Sequence, residues 1–141
     1  MLTGDLNRRA LIADILRAGH PVTFQVAGAS MRPLFWPGDR FHIAPARSNQ
    51  LRVGDIALVE LGEQLAAHRV ISVSPLVTRG DSLLVDDGVV APEAVLGQVI
   101  AFTRRSVTVR LDRPTGRLLS AVSRRLGSCV AHAELLKRYR G

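Results

Sequence analysis

The stretch Gly28-Ala-Ser-Met-Arg-Pro33 sets a serine among small residues, just before an arginine and a proline. A serine hydroxyl is a weak nucleophile. It becomes useful when a base within hydrogen-bond reach takes its proton and a third group orients that base. The chain offers four histidines. His20 adjoins Pro21 at a helix stop, His42 falls inside a strand pattern, and His132 belongs to a basic tail. His68 opens the run His-Arg-Val-Ile-Ser-Val, after Gly62–Ala67, which reads as a hairpin turn. At the head of a strand its ring can be held by the ladder and aimed across the sheet. Asp81 follows in Thr-Arg-Gly-Asp and Asp86 in Val-Asp-Asp. Hydrolytic triads recur in several chain orders, so this order is permitted. The candidates are Ser30 as nucleophile, His68 as general base, and Asp81 or Asp86 as the carboxylate that orients it. Asp86 is favoured, because Gly80-Asp81 also reads as a turn. The serine segment is not the G-x-S-x-G elbow, since Arg32 stands where the second glycine belongs.

Those groups must be carried by something. Residues 5–18 read as a helix, with Leu6, Leu11, Ile12, Ile15 and Leu16 at helical spacing and Gly19 and Pro21 ending it. Val22, Phe24 and Val26 alternate with polar residues, as strands do, and so do Phe41 and Ile43 in Arg40–Pro45. Runs at 55–61, 68–74, 95–102 and 107–112 are further β-branched segments. No helical pattern lies between Pro21 and Val95, so a parallel βαβ sheet is not expected. The expected fold is a mainly β, antiparallel, partly barrel-like domain over 22–112. A helix precedes it (1–21), and a basic amphipathic helical tail follows it (113–141, helix near 116–138). In the tail, Leu118, Val122, Leu126, Cys129, Ala133 and Leu136 form one apolar stripe. Packing against the β domain is the expected use of that stripe, and Gly127 is expected to bend or break the helix.

A chain of 141 residues, 47% hydrophobic, can bury a core without staples. Only 4% of it is aromatic, so that core should rest mainly on Val, Leu, Ile and Ala. The lone Cys129 forms no internal disulfide and is compatible with a reducing, cytoplasmic setting. The N-terminal stretch is too charged for a signal peptide, and no run is apolar enough to span a bilayer. Most of the net charge of +7 resides after Gly116, where six arginines and lysines face one glutamate. Such a tail suits an anionic membrane surface, contacted peripherally; a solvated helix face is the plainer reading. Nucleic acid is the weakest partner, because no aromatic platform accompanies the charge. Neither metal-ligand spacing nor a phosphate loop is present, so no cofactor is expected. Asp39 and Asp55, each after a glycine, read as turn formers.

The segment Gly28-Ala-Ser-Met-Arg-Pro-Leu-Phe-Trp-Pro-Gly-Asp39 resembles the signature of the signal peptidase I and LexA-type serine peptidases. Four further pieces follow in that family's order: Leu51–Glu60, His68–Val73, Thr78–Asp87 and Val95–Phe102. The resemblance covers roughly residues 22 to 102. It implies a small β domain acting on a peptide or protein segment held in extended form, with small residues near the cut. Ser30 would be the nucleophile, and His68 occupies the base position, as in the histidine-dependent eukaryotic and archaeal branch. Asp81 and Asp86 would match that branch's acidic positions. Gly28, Ala29, Met31 and Pro33 would shape the oxyanion and substrate side of the turn. The chain departs from signal peptidases in having Gly28 where a hydroxyl donor usually sits, and in having no membrane anchor. The stretch before the β domain is too short for the DNA-binding domain of a LexA-type repressor, so none is expected. A peptide-binding module that has lost the chemistry is the rival reading.

Overall fold

The structure is a computed structural model. It describes the backbone of residues 2–25 and 27–139 and the side chains of 6–25, 27–114 and 116–129. Val26, His132, Ala133 and Leu136, used above, fall outside the described side chains. Helix α1 spans Leu2–Arg17, and strands β1 to β7 span Val22–Gln25, Arg40–Pro45, Ile56–Leu61, Gln64–Val73, Leu76–Arg79, Val95–Arg104 and Val107–Arg110. Helix α2 spans Pro114–Tyr139. The strands form one antiparallel sheet in the order β1-β2-β6-β3-β4-β5, with β7 also on β6. The antiparallel expectation holds. The barrel-like expectation does not, because the sheet does not close: β1 and β5 are its ends.

Hydropathy explains the central strands. In β3 the residues Ile56, Ala57, Leu58 and Val59 are all buried, since both faces of this strand are covered. Ile56 and Leu58 join one apolar cluster, Ala57 and Val59 another, as the two-residue period of a strand requires. The second cluster, with Leu51, Val70, Leu76, Val90 and Val95, is aliphatic. The first is mostly aliphatic too, as the composition predicts, but it also takes in the phenylalanines. All four phenylalanines of the chain gather in one nest, with Phe35 4.6 Å from Phe41 and 5.1 Å from Phe102, edge to face, and Phe24 5.8 Å from Phe41. Phe35 is fully buried, and it ends the turn that begins at Ser30. Truncating such a ring costs about 3–5 kcal/mol. The phenylalanines are therefore concentrated where they anchor the serine segment.

Helix α1 covers this cluster with Ile12, Ala13 and Leu16. Leu11 is exposed, because one step along a helix rotates it about 100° off that face. The helix ends on a double cap: Gly19 N–H donates to Leu16 O and His20 N–H to Ile15 O. Gly19 supplies the left-handed backbone there, at φ 89. Sequence and structure also differ at 62–67. Only the first two of those residues turn, and Gln64–Ala67 already belong to β4.

The turn after Ser30 is closed by an ion pair. Asp39, almost wholly buried, accepts from the Trp36 N–H at 2.9 Å and from Arg104 Nε and Nη2 at 2.9 and 2.7 Å. Arg104 also donates to Leu34 O. Burial pushes the Asp39 carboxyl up, but the Arg104 and Trp36 hydrogen bonds and the Arg104 charge outweigh it and hold it below 3.8. A carboxyl lowered on folding stabilises above its unfolded pKa, and that stability is lost as pH falls through the folded value. Thermal melts of wild type and Asp39→Asn should therefore differ by a few degrees at neutral pH. The gap should shrink below about pH 4, and a gap independent of pH would contradict this account.

Candidate active site

Ser30 opens the tight turn between β1 and β2. Arg32 N–H donates to Ala29 O and Phe35 N–H to Met31 O, which makes a single helical turn starting at the serine. Met31, Leu34 and Phe35 point into the core and fix its inner side. Its outer side is clasped by residues 80–82: Ser82 N–H donates to Ser30 O at 2.9 Å and the Ser82 hydroxyl to Ala29 O at 2.9 Å. Asp81 N–H lies 3.4 Å from Met31 Sδ. Gly80 packs so closely that a Cβ there would sit 2.7 Å from Ser30 O and 2.9 Å from Ser30 Cβ. Gly80 was legible only as half of a turn; its close approach to the serine was not.

The Ser30 hydroxyl meets His68. Register in β4 pairs His68 with Ala57 of β3, which aims its ring at the turn. Ser30 Oγ lies 3.0 Å from His68 Nε2. On the other ring edge, His68 Nδ1 lies 2.6 Å from Asp87 Oδ2. Thr78 donates its hydroxyl to the same carboxylate oxygen at 2.7 Å. A carboxylate only accepts, so Nδ1 carries hydrogen and Nε2 offers its lone pair to the Ser30 hydroxyl. Thr78 is fully buried, and the His68 and Asp87 side chains are about 9% and 11% exposed, so this line of bonds is shielded from water except at its serine end.

The carboxylate facing His68 is thus Asp87, not Asp86 and not Asp81. Asp86 is exposed, and its Oδ1 accepts the Gly88 N–H at 2.8 Å, a local turn bond. Asp-x-Gly spacing was the signal that could have separated the neighbours: it marks Asp86 as the turn former. Asp81 holds Arg69 instead, through Arg69 Nε at 2.7 Å and Nη2 at 2.6 Å, with both side chains buried. Arg69 follows His68 in β4 and so points to the opposite face. Its Nη1 also donates to Gly54 O and to the hydroxyl of Ser120, on α2. His42 is not near the serine; its ring nitrogens face Thr23 and Thr103.

A groove of about 470 Å³ runs past the serine, lined by Phe24, Leu58, Leu65, Ala67, His68 and Asp87, among others. Gly28 and Met31 also line it; Ala29 lies outside with Pro33, whose carbonyl accepts the Trp36 indole N–H. β4 pairs with β5 only from Arg69 onward, so the second edge of Gln64–His68 has no partner strand among the described residues. Also among the described residues, no group of His, Cys, Asp and Glu could hold a metal, and the Ser30 N–H has no acceptor.

These assignments separate in thermal melts. Asp81→Asn strands a buried guanidinium and should destabilise by about 3 kcal/mol or more. Asp86→Asn should change stability by less than about 0.5 kcal/mol. Equal losses in the two variants would overturn the division of roles. Comparison of the chain with protein-family models, with curated proteins and with solved structures finds no match.

Proposed function

We propose that the chain is a serine endopeptidase resembling the signal peptidase and LexA-type enzymes, with Ser30, His68 and Asp87 as its triad. One observation carries this reading: the unbroken line from Ser30 Oγ to His68 Nε2, and from His68 Nδ1 to Asp87. The spacing suits proton transfer between Ser30 Oγ and His68 Nε2, with Asp87 holding the Nδ1 end of the imidazole. Asp87 replaces the two carboxylates that the sequence favoured.

The steps follow from the tautomer. Ser30 Oγ attacks a peptide carbonyl carbon while its proton passes to His68 Nε2. Asp87 stabilises the imidazolium and keeps the ring in register. Collapse of the tetrahedral intermediate breaks the C–N bond, and Nε2 returns the proton to the leaving amine. Water, deprotonated by Nε2, then cleaves the acyl ester and restores the serine. With Gly28 lacking a side chain, the developing oxyanion is met by backbone donors, the Ser30 N–H first among them. The open edge of Gln64–His68 would receive substrate as an added strand, and the apolar groove its side chains.

The test is labelling with a fluorophosphonate probe, mapped by mass spectrometry, alongside turnover of a peptide library. Label should appear on Ser30. Ser30→Ala and His68→Ala should each abolish turnover, with little further loss when combined. Asp87→Asn should lower kcat by roughly three to four orders of magnitude, whereas Asp86→Asn should leave it near wild type. Turnover by Ser30→Ala at the wild-type rate would refute the reading and favour a peptide-binding module.

A further inference from the structure

Helix α2 is docked the wrong way round for its hydropathy. Among its described residues, those it buries are Gly116, Ser120, Ser123 and Gly127. Over its described residues the expected apolar stripe faces solvent instead: Leu118 is 68% exposed, Val122 48% and Leu126 51%, and Leu119 beside them is 44% exposed. Cys129 is exposed too. The small face is fixed by specific contacts. Ser120 accepts from buried Arg69 at 2.6 Å, and a Cβ on Gly127 would lie 2.5 Å from Asp81 O. Gly127 therefore does not break the helix; it allows the helix to press on the Asp81 backbone. The leucines cannot rotate inward without losing these contacts.

We infer that the outward face of α2 is a docking surface for an anionic lipid bilayer. Charge selects this occupant. Arg117, Arg124 and Arg125 are exposed on the same helix, and no Asp or Glu occurs between Arg113 and Ala133. A second copy would bring the same positive charge to a self-complementary contact and be repelled. Among the described residues the exposed face carries four aliphatic side chains and no aromatic anchor, unlike the centre of a protein interface. It suits shallow insertion into the headgroup and acyl boundary, with the arginines meeting lipid phosphates. At 26 residues the helix is about 39 Å long, but no described helix is apolar enough to cross a bilayer. The geometry is that of a helix lying in the interface plane. None of this depends on the peptidase reading.

Deleting α2 would strip Arg69 of Ser120, so the test uses point variants of the full chain. Flotation is measured with vesicles of phosphatidylcholine alone and of phosphatidylcholine with phosphatidylglycerol, at low and high salt. Wild type should float with the anionic vesicles only, and less so in high salt. Each surface arginine contributes roughly fivefold, so Arg117→Gln/Arg124→Gln/Arg125→Gln should weaken partitioning by roughly a hundredfold. Leu118→Gln/Val122→Gln/Leu126→Gln should abolish it while leaving the melting temperature unchanged. Three results would each overturn the proposal: no binding by wild type, equal binding to neutral vesicles, or unchanged binding by the leucine variant. Sedimentation equilibrium supplies the fourth: a dimer that the leucine variant dissolves would assign the face to a second copy.

Discussion

A guanidinium buried in the middle of this protein has to be paired at every face, and much of the structure is arranged to do so. Arg69 is 2% exposed. An unpaired charge at such depth is prohibitive, and a paired one is tolerable only when its hydrogen bonds are complete. The partners come from three separate places: Asp81 beyond β5, Gly54 in the turn before β3, and Ser120 in α2. Satisfying one side chain thus fixes two loops and a helix. Because residues 80–82 also clasp the Ser30 turn, the ion pair sets the serine's position from behind.

Two adjacent aspartates do unrelated things because backbone geometry sends them in different directions. Asp86 bonds within its own turn, while the Asp87 N–H donates to Thr78 O and turns its carboxylate inward to Thr78 Oγ1 and His68. The same separation occurs at His68 and Arg69. Strand alternation gives one the groove and the other the buried ion pair. Chemistry and scaffold are interleaved residue by residue.

Much of this was legible in the sequence. Six of the seven strands, both helices and the meeting of Ser30 with His68 could be read from period, turn residues and motif; β5, the short run Leu76–Arg79, was not read. What could not be read depended on contacts between distant segments. The choice among Asp81, Asp86 and Asp87 was set by Arg69 and Thr78, which compete for carboxylates and carry no local signature. Gathering four phenylalanines under one turn needs tertiary packing that composition does not describe. The inversion of α2 was hidden for a sharper reason. Hydropathy assumes that apolar faces turn inward, whereas here a hydrogen bond to Arg69 and the room left by Gly127 decide which side packs.

The edge of β4 at Gln64–His68, unpaired among the described residues, has a cost of its own. Gln64-Leu65-Ala66-Ala67 carries no charge and no proline, the usual guards against strand-to-strand association. Its backbone donors and acceptors present themselves to any extended chain, including that of another molecule of the same protein. Its place within a recessed, apolar-lined groove then limits which strands can reach it. Covering this edge would also remove the feature most prone to template aggregation, so solubility at high concentration is tied to the few residues Gln64–His68.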